Sequence, residues 1–262
     1  MSEKKVVWVI GASSGIGKAF VEQYNKKGCF VILSSRKSDD LKAVVADLKF
    51  PEMTFIQTLD LLKPDSFKQI TKDLITKFQK VDVLINNGGI SQRGEAAATA
   101  MEVDRQIMEV NYFGNIALTK AVLPYMQAQK TGHIIVTSSI AGKFGFFLRS
   151  AYSASKHALQ GFYESLLLEE EKNKIRVTIA YPGKINTPIS VSALTSTGEK
   201  HGVMDHNQES GMSAEKCVSK IIRAANKGKK SVIVGGKETY AVYIKRYIPV
   251  LFWKIIKNQK AT

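Results

Sequence analysis

The residues best suited to chemistry lie between positions 139 and 156, where Ser139, Tyr152 and Lys156 occur in one stretch. Ser150 and Ser153 are N-terminal signals that predict the start of a helix there. On that helix Tyr152 and Lys156 stand at i and i+4, so both heads lie over the same face. A tyrosine has a pKa of about 10, and a nearby ammonium favours the phenolate. The spacing therefore predicts an acid–base pair, with an ordinary surface Tyr–Lys pair as the alternative.

A glycine-rich turn near the N-terminus could hold a phosphate. The apolar run Val6 to Ile10 predicts a strand buried on both faces, and Gly-Ala-Ser-Ser-Gly-Ile-Gly follows it at 11–17. A helical pattern comes next and ends near Gly28. Glycines allow close backbone approach, and a helix N-terminus offers free amides to a pyrophosphate. The spacing is GxxxGxG rather than GxGxxG, so a purely structural turn is the alternative.

The end of the second predicted strand, residues 29–34, bears on the choice of cofactor. An acidic residue there binds the ribose 2′-hydroxyl of NAD, whereas a cation binds the 2′-phosphate of NADP. Here Arg36 and Lys37 follow the strand, and the first acidic residue is Asp39. A guanidinium can bind a phosphate through two parallel hydrogen bonds. We therefore predict NADP, with NADPH preferred over NADH; solvated loop charges are the alternative.

Strand and helix patterns alternate along the rest of the chain. Further strands are predicted at 53–57, 81–85, 133–138, 174–181 and 231–234, with helical patterns between them. The pattern predicts an α/β fold: one Rossmann domain over residues 1–262, with a doubly wound, mostly parallel sheet of about seven strands and helices on both faces. Ligands of such sheets bind beyond the carboxyl ends of the strands. Asp60 follows the third strand, where it could contact the adenine or cap the next helix.

Two segments do not fit the alternating pattern. Residues 189–212 are polar and lack periodicity, which predicts an unstructured loop at the substrate site. Residues 238–262 form a basic, aromatic C-terminal extension, and Lys245, Arg246 and Pro249 interrupt its apolar part, 240–257. Three alternatives stay open for 240–257: packing on the domain, either against the sheet edge or as a roof over the substrate site, peripheral contact with a membrane, or contact with another subunit.

Composition excludes several classes of protein. The chain has a net charge of +15, but its last part clusters cations with aliphatic and aromatic residues, so nucleic acid is not an expected partner. Cys29 and Cys217 lie far apart and the four histidines form no cluster, so we expect no metal site. No secretory signal and no run of about 20 apolar residues is visible. We therefore predict a cytoplasmic protein that could also lie at a membrane surface.

Together these motifs resemble the short-chain dehydrogenase/reductase family over residues 5–235. The resemblance rests on six features in order: the turn at 11–17, Asn-Asn-Gly-Gly at 86–89, Asn111, Ser139, the Tyr152–Lys156 pair, and Pro-Gly-Lys-Ile-Asn-Thr at 182–187. The stretch 86–93 is also similar to the branch called dehydrogenase/reductase member seven. The family usually has Asn-Asn-Ala-Gly, so Gly88 is a departure, though a sterically mild one.

The resemblance implies a role for each of these residues. Tyr152 would exchange a proton with the substrate oxygen, Ser139 would stabilise that oxygen, Lys156 would lower the pKa of Tyr152, and Asn111 would hold a water in a proton relay. The cofactor-binding residues would be Gly11, Ser13, Ser14, Gly15, Ile16, Gly17, Arg36, Asp60, Leu61, Asn87, Gly88, Tyr152, Lys156, Pro182, Gly183, Ile185 and Thr187. The implied activity is hydride transfer between NADP and an apolar carbonyl or alcohol such as a steroid, retinoid or lipid, in a homodimer or homotetramer. A catalytically weak NADP(H)-binding regulatory module or a membrane-peripheral interaction protein is the alternative.

Overall fold

A computed structural model of the chain describes residues 4–259. At its centre is a seven-stranded sheet in the order β3-β2-β1-β4-β6-β7-β11, and every neighbouring pair is parallel. Its strands are β1 (Val6–Ile10), β2 (Phe30–Ser34), β3 (Thr54–Ile56), β4 (Val83–Asn86), β6 (Gly132–Thr137), β7 (Ile175–Pro182) and β11 (Ser231–Val234). Four two-residue strands form separate pairs: β5 (Gln92–Arg93), β8 (Ile185–Asn186), β9 (Leu194–Thr195) and β10 (Met212–Ser213).

Helices cover both faces of the sheet, as the sequence predicts. They are α1 (Gly15–Lys26), α2 (Ser38–Ala46), α3 (Phe67–Phe78), α4 (Met101–Met108), α5 (Gly114–Gln129), α6 (Ser150–Glu169), α7 (His206–Glu209), α8 (Ala214–Asn226), α9 (Tyr240–Tyr247) and α10 (Pro249–Ile256). Apolar residues of α1, α2 and α8 share one core cluster, and those of α3, α5 and α6 share the other. The doubly wound fold is therefore confirmed.

The burial of β1 explains why its sequence is apolar without a break. Val6, Trp8 and Ile10 belong to the core on one face, and Val7 and Val9 belong to the core on the other. Successive side chains of a strand point to opposite faces, so a strand covered on both sides needs an apolar residue at every position.

The order of the strands creates a crevice at the carboxyl end of β1. In β1, Ile10 pairs with Ser34 of β2 on one side and with Asn86 of β4 on the other. The chain leaves β1 for β2 in one direction, whereas β4 and the later strands lie in the opposite direction. Such a reversal is where open α/β sheets bind their ligands. The glycine-rich turn and the Asn-Asn-Gly-Gly motif both begin at this crevice.

The start of α6 differs from the prediction. Arg149 occupies the N-cap position, Ser150 is the first helical residue, and neither Ser150 nor Ser153 caps the helix. Gln92 supplies the missing acceptor: its side-chain oxygen accepts hydrogen bonds from the amides of Ala151 (2.9 Å) and Tyr152 (3.3 Å). A side chain distant in sequence therefore satisfies amides that are normally capped locally.

Residues 189–212 are more ordered than the sequence predicts. Within this segment β9 pairs with β5, α7 follows, and Met212 in β10 pairs with Ile185 in β8. These short pairings use main-chain atoms, and for this reason the polar side chains give no periodic signal for them. The segment is thus hydrogen-bonded to the stretch after β4 through β5 and to the stretch after β7 through β8.

The C-terminal extension packs on the domain, which is the first of the three alternatives. Phe252 of α10 is only 2% exposed, and its ring lies 5.3 Å from that of Phe144. In α9, the Lys245 ammonium donates a hydrogen bond to the carbonyl of Lys143 at 3.2 Å. Among residues 4–259, no helix has both the length and the apolar character that crossing a bilayer requires.

Candidate active site

The structure brings Tyr152, Ser139 and Lys156 together at the crevice. Ser139 follows β6, while Tyr152 lies in the first turn of α6 and Lys156 one turn later. Tyr152 and Ser139 line the same two cavities. The ammonium of Lys156, which is 4% exposed, lies 5.6 Å from the centre of the Tyr152 ring and donates to the carbonyl of Thr137 at 3.0 Å. The predicted convergence of these three residues is therefore present in the structure.

Burial and charge act in opposite directions on Tyr152. Burial raises the pKa of Tyr152, and the hydrogen bond from Ser139 lowers it, followed by the positive charges of Arg149 and Arg93. Burial lowers the pKa of Lys156 to about 8. Both changes have the same physical cause, because a low-dielectric site disfavours the charged form of each group. The two pKa values therefore move apart and exchange order, because that of Tyr152 rises from 10.0 while that of Lys156 falls from 10.5 to about 8.

Asn111 connects the loop after β4 to α6. It lies in a π-helical turn, Glu109–Phe113, between α4 and α5. Its side-chain oxygen accepts from the amide of Ile90 at 2.8 Å, and its amide group donates to the carbonyl of Ile90 at 2.9 Å and to the Ser155 hydroxyl at 3.0 Å. A Cβ atom on Gly89 would be 3.0 Å from Asn111 Oδ1 and 3.5 Å from Lys156 Nζ. Asn111 therefore lies beside Lys156, and its place in a proton relay stays a prediction.

A cavity of about 470 Å³ lies at the crevice and extends over the glycine-rich turn. Sixteen of the seventeen residues predicted to bind the cofactor line it, all except Gly17, and Ser139 lines it with them: Gly11, Ser13, Ser14, Gly15, Ile16, Arg36, Asp60, Leu61, Asn87, Gly88, Tyr152, Lys156, Pro182, Gly183, Ile185 and Thr187.

Gly17 is not among the residues that line this cavity, and its contact with the cofactor stays a prediction. A Cβ atom at Gly17 would lie 1.9 Å from the carbonyl oxygen of Gly11. Gly15 has a φ of +51°, and its Cβ would lie 2.9 Å from the side chain of Thr187. The turn therefore requires glycine at both positions, and it leads directly into the N-terminus of α1. A cradle of this kind fits the pyrophosphate of a dinucleotide.

Arg36 and Asp60 lie in adjacent segments at the cavity. Arg36 is exposed just after β2, and the amide of Leu59 donates to the carbonyl of Ser35 at 3.0 Å, which joins the two segments. The Asp60 carboxylate accepts a hydrogen bond from the amide of Leu62 at 3.1 Å, whereas α3 begins only at Phe67. Of the two alternatives for Asp60, the structure thus favours a position at the cofactor cavity over a helix cap.

A second cavity of about 500 Å³ adjoins the first. Ser139 and Tyr152 line both cavities. The segment 189–212 contributes Ile189, Asp205 and Gln208 to the second cavity, and the C-terminal extension contributes Tyr240, Ile244, Phe252 and Ile255 among others. The first cavity thus includes the glycine-rich turn that can hold a dinucleotide, and the second shares Tyr152 and Ser139 with it and has apolar residues of the C-terminal extension in its lining.

Three charged residues at the second cavity escaped the sequence analysis. The side chains of Arg93 and Asp205 are 2% and 1% exposed and form a buried ion pair, and Arg149 donates to the same carboxylate at 3.0 Å. Arg93 and Asp205 are 112 positions apart; Arg93 ends the stretch 86–93, which gives no sign that this arginine is buried, and Asp205 stands in the aperiodic segment 189–212. No local signal distinguishes them from solvated charges.

Comparisons with known proteins agree with this geometry. The family model described as short chain dehydrogenase matches residues 5–198. A relative from Anopheles gambiae, "Dehydrogenase/reductase SDR family protein 7-like", is 43% identical over 262 residues, covering 97% of this chain and 83% of its own length. A short-chain dehydrogenase from Streptomyces avermitilis has a similar structure, with a TM-score of 0.82, 28% identity, and coverage of 95% of this chain and 94% of its own. A Burkholderia phymatum protein solved in complex with NAD shares the fold, with a TM-score of 0.83, 20% identity and 96% coverage of both chains.

Proposed function

The chain belongs to the short-chain dehydrogenase/reductase family, and on this premise we propose that it is an NADP-dependent oxidoreductase that interconverts an apolar carbonyl compound and its alcohol. The observation that carries the proposal is that Tyr152 and Ser139 line both cavities. A proton donor at that junction is within reach of a substrate in one cavity and of a dinucleotide in the other.

The protein's own groups would act as follows. Tyr152 gives its phenolic proton to the carbonyl oxygen in reduction and takes it back in oxidation. Ser139 donates a hydrogen bond to the same oxygen while negative charge develops there. Lys156 stabilises the phenolate, and Asn111 holds the loop over Lys156. The nicotinamide, when bound, supplies or accepts the hydride; Gly11, Ser14, Asn87 and Thr187 are among the residues that would hold the dinucleotide.

Arg36 supports NADP rather than NAD. It is exposed at the end of β2 and lines the cofactor cavity, and the loop has no acidic residue before Asp39 to bind a ribose 2′-hydroxyl. A guanidinium there can bind the 2′-phosphate of NADP through two hydrogen bonds. The preference for NADPH thus rests on one side chain.

The roof of the second cavity supports an apolar substrate and a peripheral contact with a membrane. Phe252 lies on the inner side of α10, whereas Tyr247, Val250 and Trp253 are 71%, 68% and 58% exposed. Residues 240–257 carry four cations and no acidic residue. An exposed apolar and aromatic surface with lysines suits the interface of an anionic bilayer. The proposal therefore includes a cytoplasmic protein that binds such a surface through 240–257.

A vesicle assay tests the membrane contact. We expect the protein to sediment with anionic vesicles more than with neutral ones, and a Val250→Asp/Trp253→Asp double variant to remain in the supernatant. Leu168→Asp changes an equally exposed apolar residue (67%) of α6 and serves as the matched control. Equal sedimentation of the double variant and the control would contradict the contact. We also propose that the chain forms a homodimer or homotetramer, as the family commonly does, and light scattering tests this.

Turnover of reduced cofactor tests the enzyme proposal. NADPH absorbance is followed with a panel of apolar aldehydes, ketones and quinones, alongside polar compounds with the same carbonyl groups. We expect oxidation of NADPH by apolar members of the panel and slower oxidation of NADH. Tight NADPH binding without turnover of any carbonyl or alcohol in the panel would instead favour the regulatory module.

A further inference from the structure

A compact cluster of two arginines and one aspartate adjoins Tyr152 on the side of the second cavity. The guanidinium of Arg93 donates through Nε to both oxygens of Asp205, at 3.3 and 3.0 Å, and through Nη2 to Oδ2. Arg149 Nη2 donates to the same Oδ2 at 3.0 Å. The second terminal nitrogen of Arg93 donates to the hydroxyl of Ser91 at 3.0 Å. One carboxylate therefore binds two guanidinium groups.

The cluster is buried and carries a net positive charge. The Arg93 and Asp205 side chains are 2% and 1% exposed, and that of Arg149 is 13% exposed. Two cations and one anion leave an excess of one positive charge. Water screens such a charge poorly at a buried site, so it acts strongly on a neighbouring ionisable group. Tyr152 lines the same cavity as all three residues.

The three residues come from different parts of the chain. Arg93 lies in β5, and Arg149 is the N-cap of the helix that carries Tyr152. Asp205 lies in the segment 189–212, where the Ser190 hydroxyl accepts a hydrogen bond from its amide at 3.2 Å. His201 Nε2 is 3.8 Å from Asp205 Oδ1. The position of this segment thus decides how closely a carboxylate faces the two arginines beside Tyr152.

We propose that Arg93, Arg149 and Asp205 act as positioning residues that set the acidity of Tyr152 from the substrate side: the arginines favour the phenolate, and Asp205 partly cancels their charge. This inference rests on the proposed function, in which Tyr152 is the proton donor. It adds a second source of positive charge, since Lys156 faces the phenol from the cofactor side.

Further charged and polar groups surround Tyr152 within residues 4–259. On α6 itself, Lys156 lies 5.6 Å from the Tyr152 ring centre, and Ser139 from the loop after β6 lines the same cavity as Tyr152. Lys184, Lys237 and Glu238 line the same cavity. Glu238 Oε1 accepts hydrogen bonds from the amides of Lys184 (2.8 Å) and Gly236 (2.9 Å). The pKa of Tyr152 is lowered by the charges of Arg149 and Arg93, after the Ser139 hydrogen bond.

A pH titration of Tyr152 by NMR tests the inference without any substrate. The protein is labelled with ¹³C at tyrosine Cζ, and the Tyr152→Phe variant identifies the resonance. We expect Arg149→Gln to raise the pKa of Tyr152 and Asp205→Asn to lower it, each by about one pH unit. Arg149→Lys, which keeps the charge, should restore most of the wild-type value.

The two charge variants should shift the pKa of Tyr152 in opposite directions, whereas a general disruption of the site would not depend on the sign of the charge that is removed. Arg223→Gln removes one positive charge from an exposed position of α8, a helix of the core cluster that does not include α6, so it serves as the control and should leave the titration unmoved. Shifts of the same sign in both charge variants, or no shift in either, would overturn the inference. If Asp205→Asn does not fold, the direction of the Arg149→Gln shift decides, because Arg149 is the more exposed arginine.

A second readout keeps this inference distinct from the proposed function. Reduction needs the protonated phenol, so kcat/KM should fall as the pH rises through the pKa of Tyr152. The basic limb of the profile should move to higher pH in Arg149→Gln and to lower pH in Asp205→Asn. Titration shifts in a protein without turnover would support the cluster and refute the enzyme. Turnover with unmoved pH limbs and an unmoved titration would refute the cluster alone.

Discussion

Replacement of Gly17 by alanine tests the cofactor cradle. The new Cβ atom would lie 1.9 Å from the carbonyl oxygen of Gly11 and 2.8 Å from the side-chain nitrogen of Asn87. Since Cβ contacts under 3.0 Å essentially never occur, the Gly11 carbonyl must move by about 1.1 Å, the difference between 3.0 and 1.9 Å. Overpacking of this kind destabilises a protein by about 1–3 kcal/mol.

The same displacement should impair cofactor binding. Gly11 lines the cofactor cavity, and a misplacement of about 1 Å in a binding site can cost on the order of 100-fold. We therefore expect Gly17→Ala to raise the Kd for NADPH, measured by fluorescence titration, by about 100-fold. Thermal unfolding of the variant shows in parallel how much stability the fold retains.

Gly161→Ala is the matched control for this experiment. Gly161 lies within α6, and a Cβ atom there meets nothing within 4 Å. The same substitution should therefore stabilise the helix by about 0.5–1 kcal/mol and leave NADPH affinity unchanged. A Gly17→Ala protein that is folded and binds NADPH as tightly as the Gly161→Ala protein would refute the reasoning about the cradle.

Three further predictions concern specificity, pH and the roof. Arg36→Asp should reverse the preference from NADPH to NADH, and an unchanged ratio of the two kcat/KM values would exclude the phosphate contact. Burial lowers the pKa of His133 from 6.5 to about 3. Between these two pH values the unfolded chain binds a proton at His133 that the folded chain does not bind, so the free energy of unfolding should fall as the pH drops through this window. At pH 5 the loss is about 2 kcal/mol, and urea unfolding of His133→Val should lack this dependence. Phe252→Ala should destabilise the protein by about 3–5 kcal/mol and weaken the binding of apolar substrates more than that of NADPH. A variant whose KM values for apolar and for polar carbonyl compounds both equal those of the wild type would contradict the place of Phe252 in the roof.

The sheet was predictable because central strands such as β1 and β4 are buried along their whole length. A strand such as β1 needs apolar residues throughout, and its end needs glycine where the chain turns into α1; both requirements are local in the sequence. The same holds for Tyr152 and Lys156, which one helical turn brings together. These parts of the fold and the site depend on neighbours within a few residues, so periodicity and spacing indicate them directly.

The rest depends on pairs that are distant in sequence. Gln92 caps α6 from 59 positions away, and Asp205 is 112 positions from Arg93. The order within 189–212 comes from two-residue pairings with β5 and β8, which leave no periodic pattern. The motif at 11–17 predicts Gly17 at the cofactor, and only the fold reveals that Gly17 also packs against the carbonyl of Gly11. Such assignments need coordinates, since no single stretch of sequence contains both partners.

The Tyr152→Phe variant tests the central claim most directly when turnover and NADPH affinity are measured on the same sample. The substitution removes only the phenolic oxygen from the junction of the two cavities. Loss of a general acid costs about 10²–10⁴-fold in rate, so we predict a fall in kcat of about 10³-fold with the Kd for NADPH unchanged. Turnover close to that of the wild type, at the same NADPH affinity, would contradict Tyr152 as the proton donor.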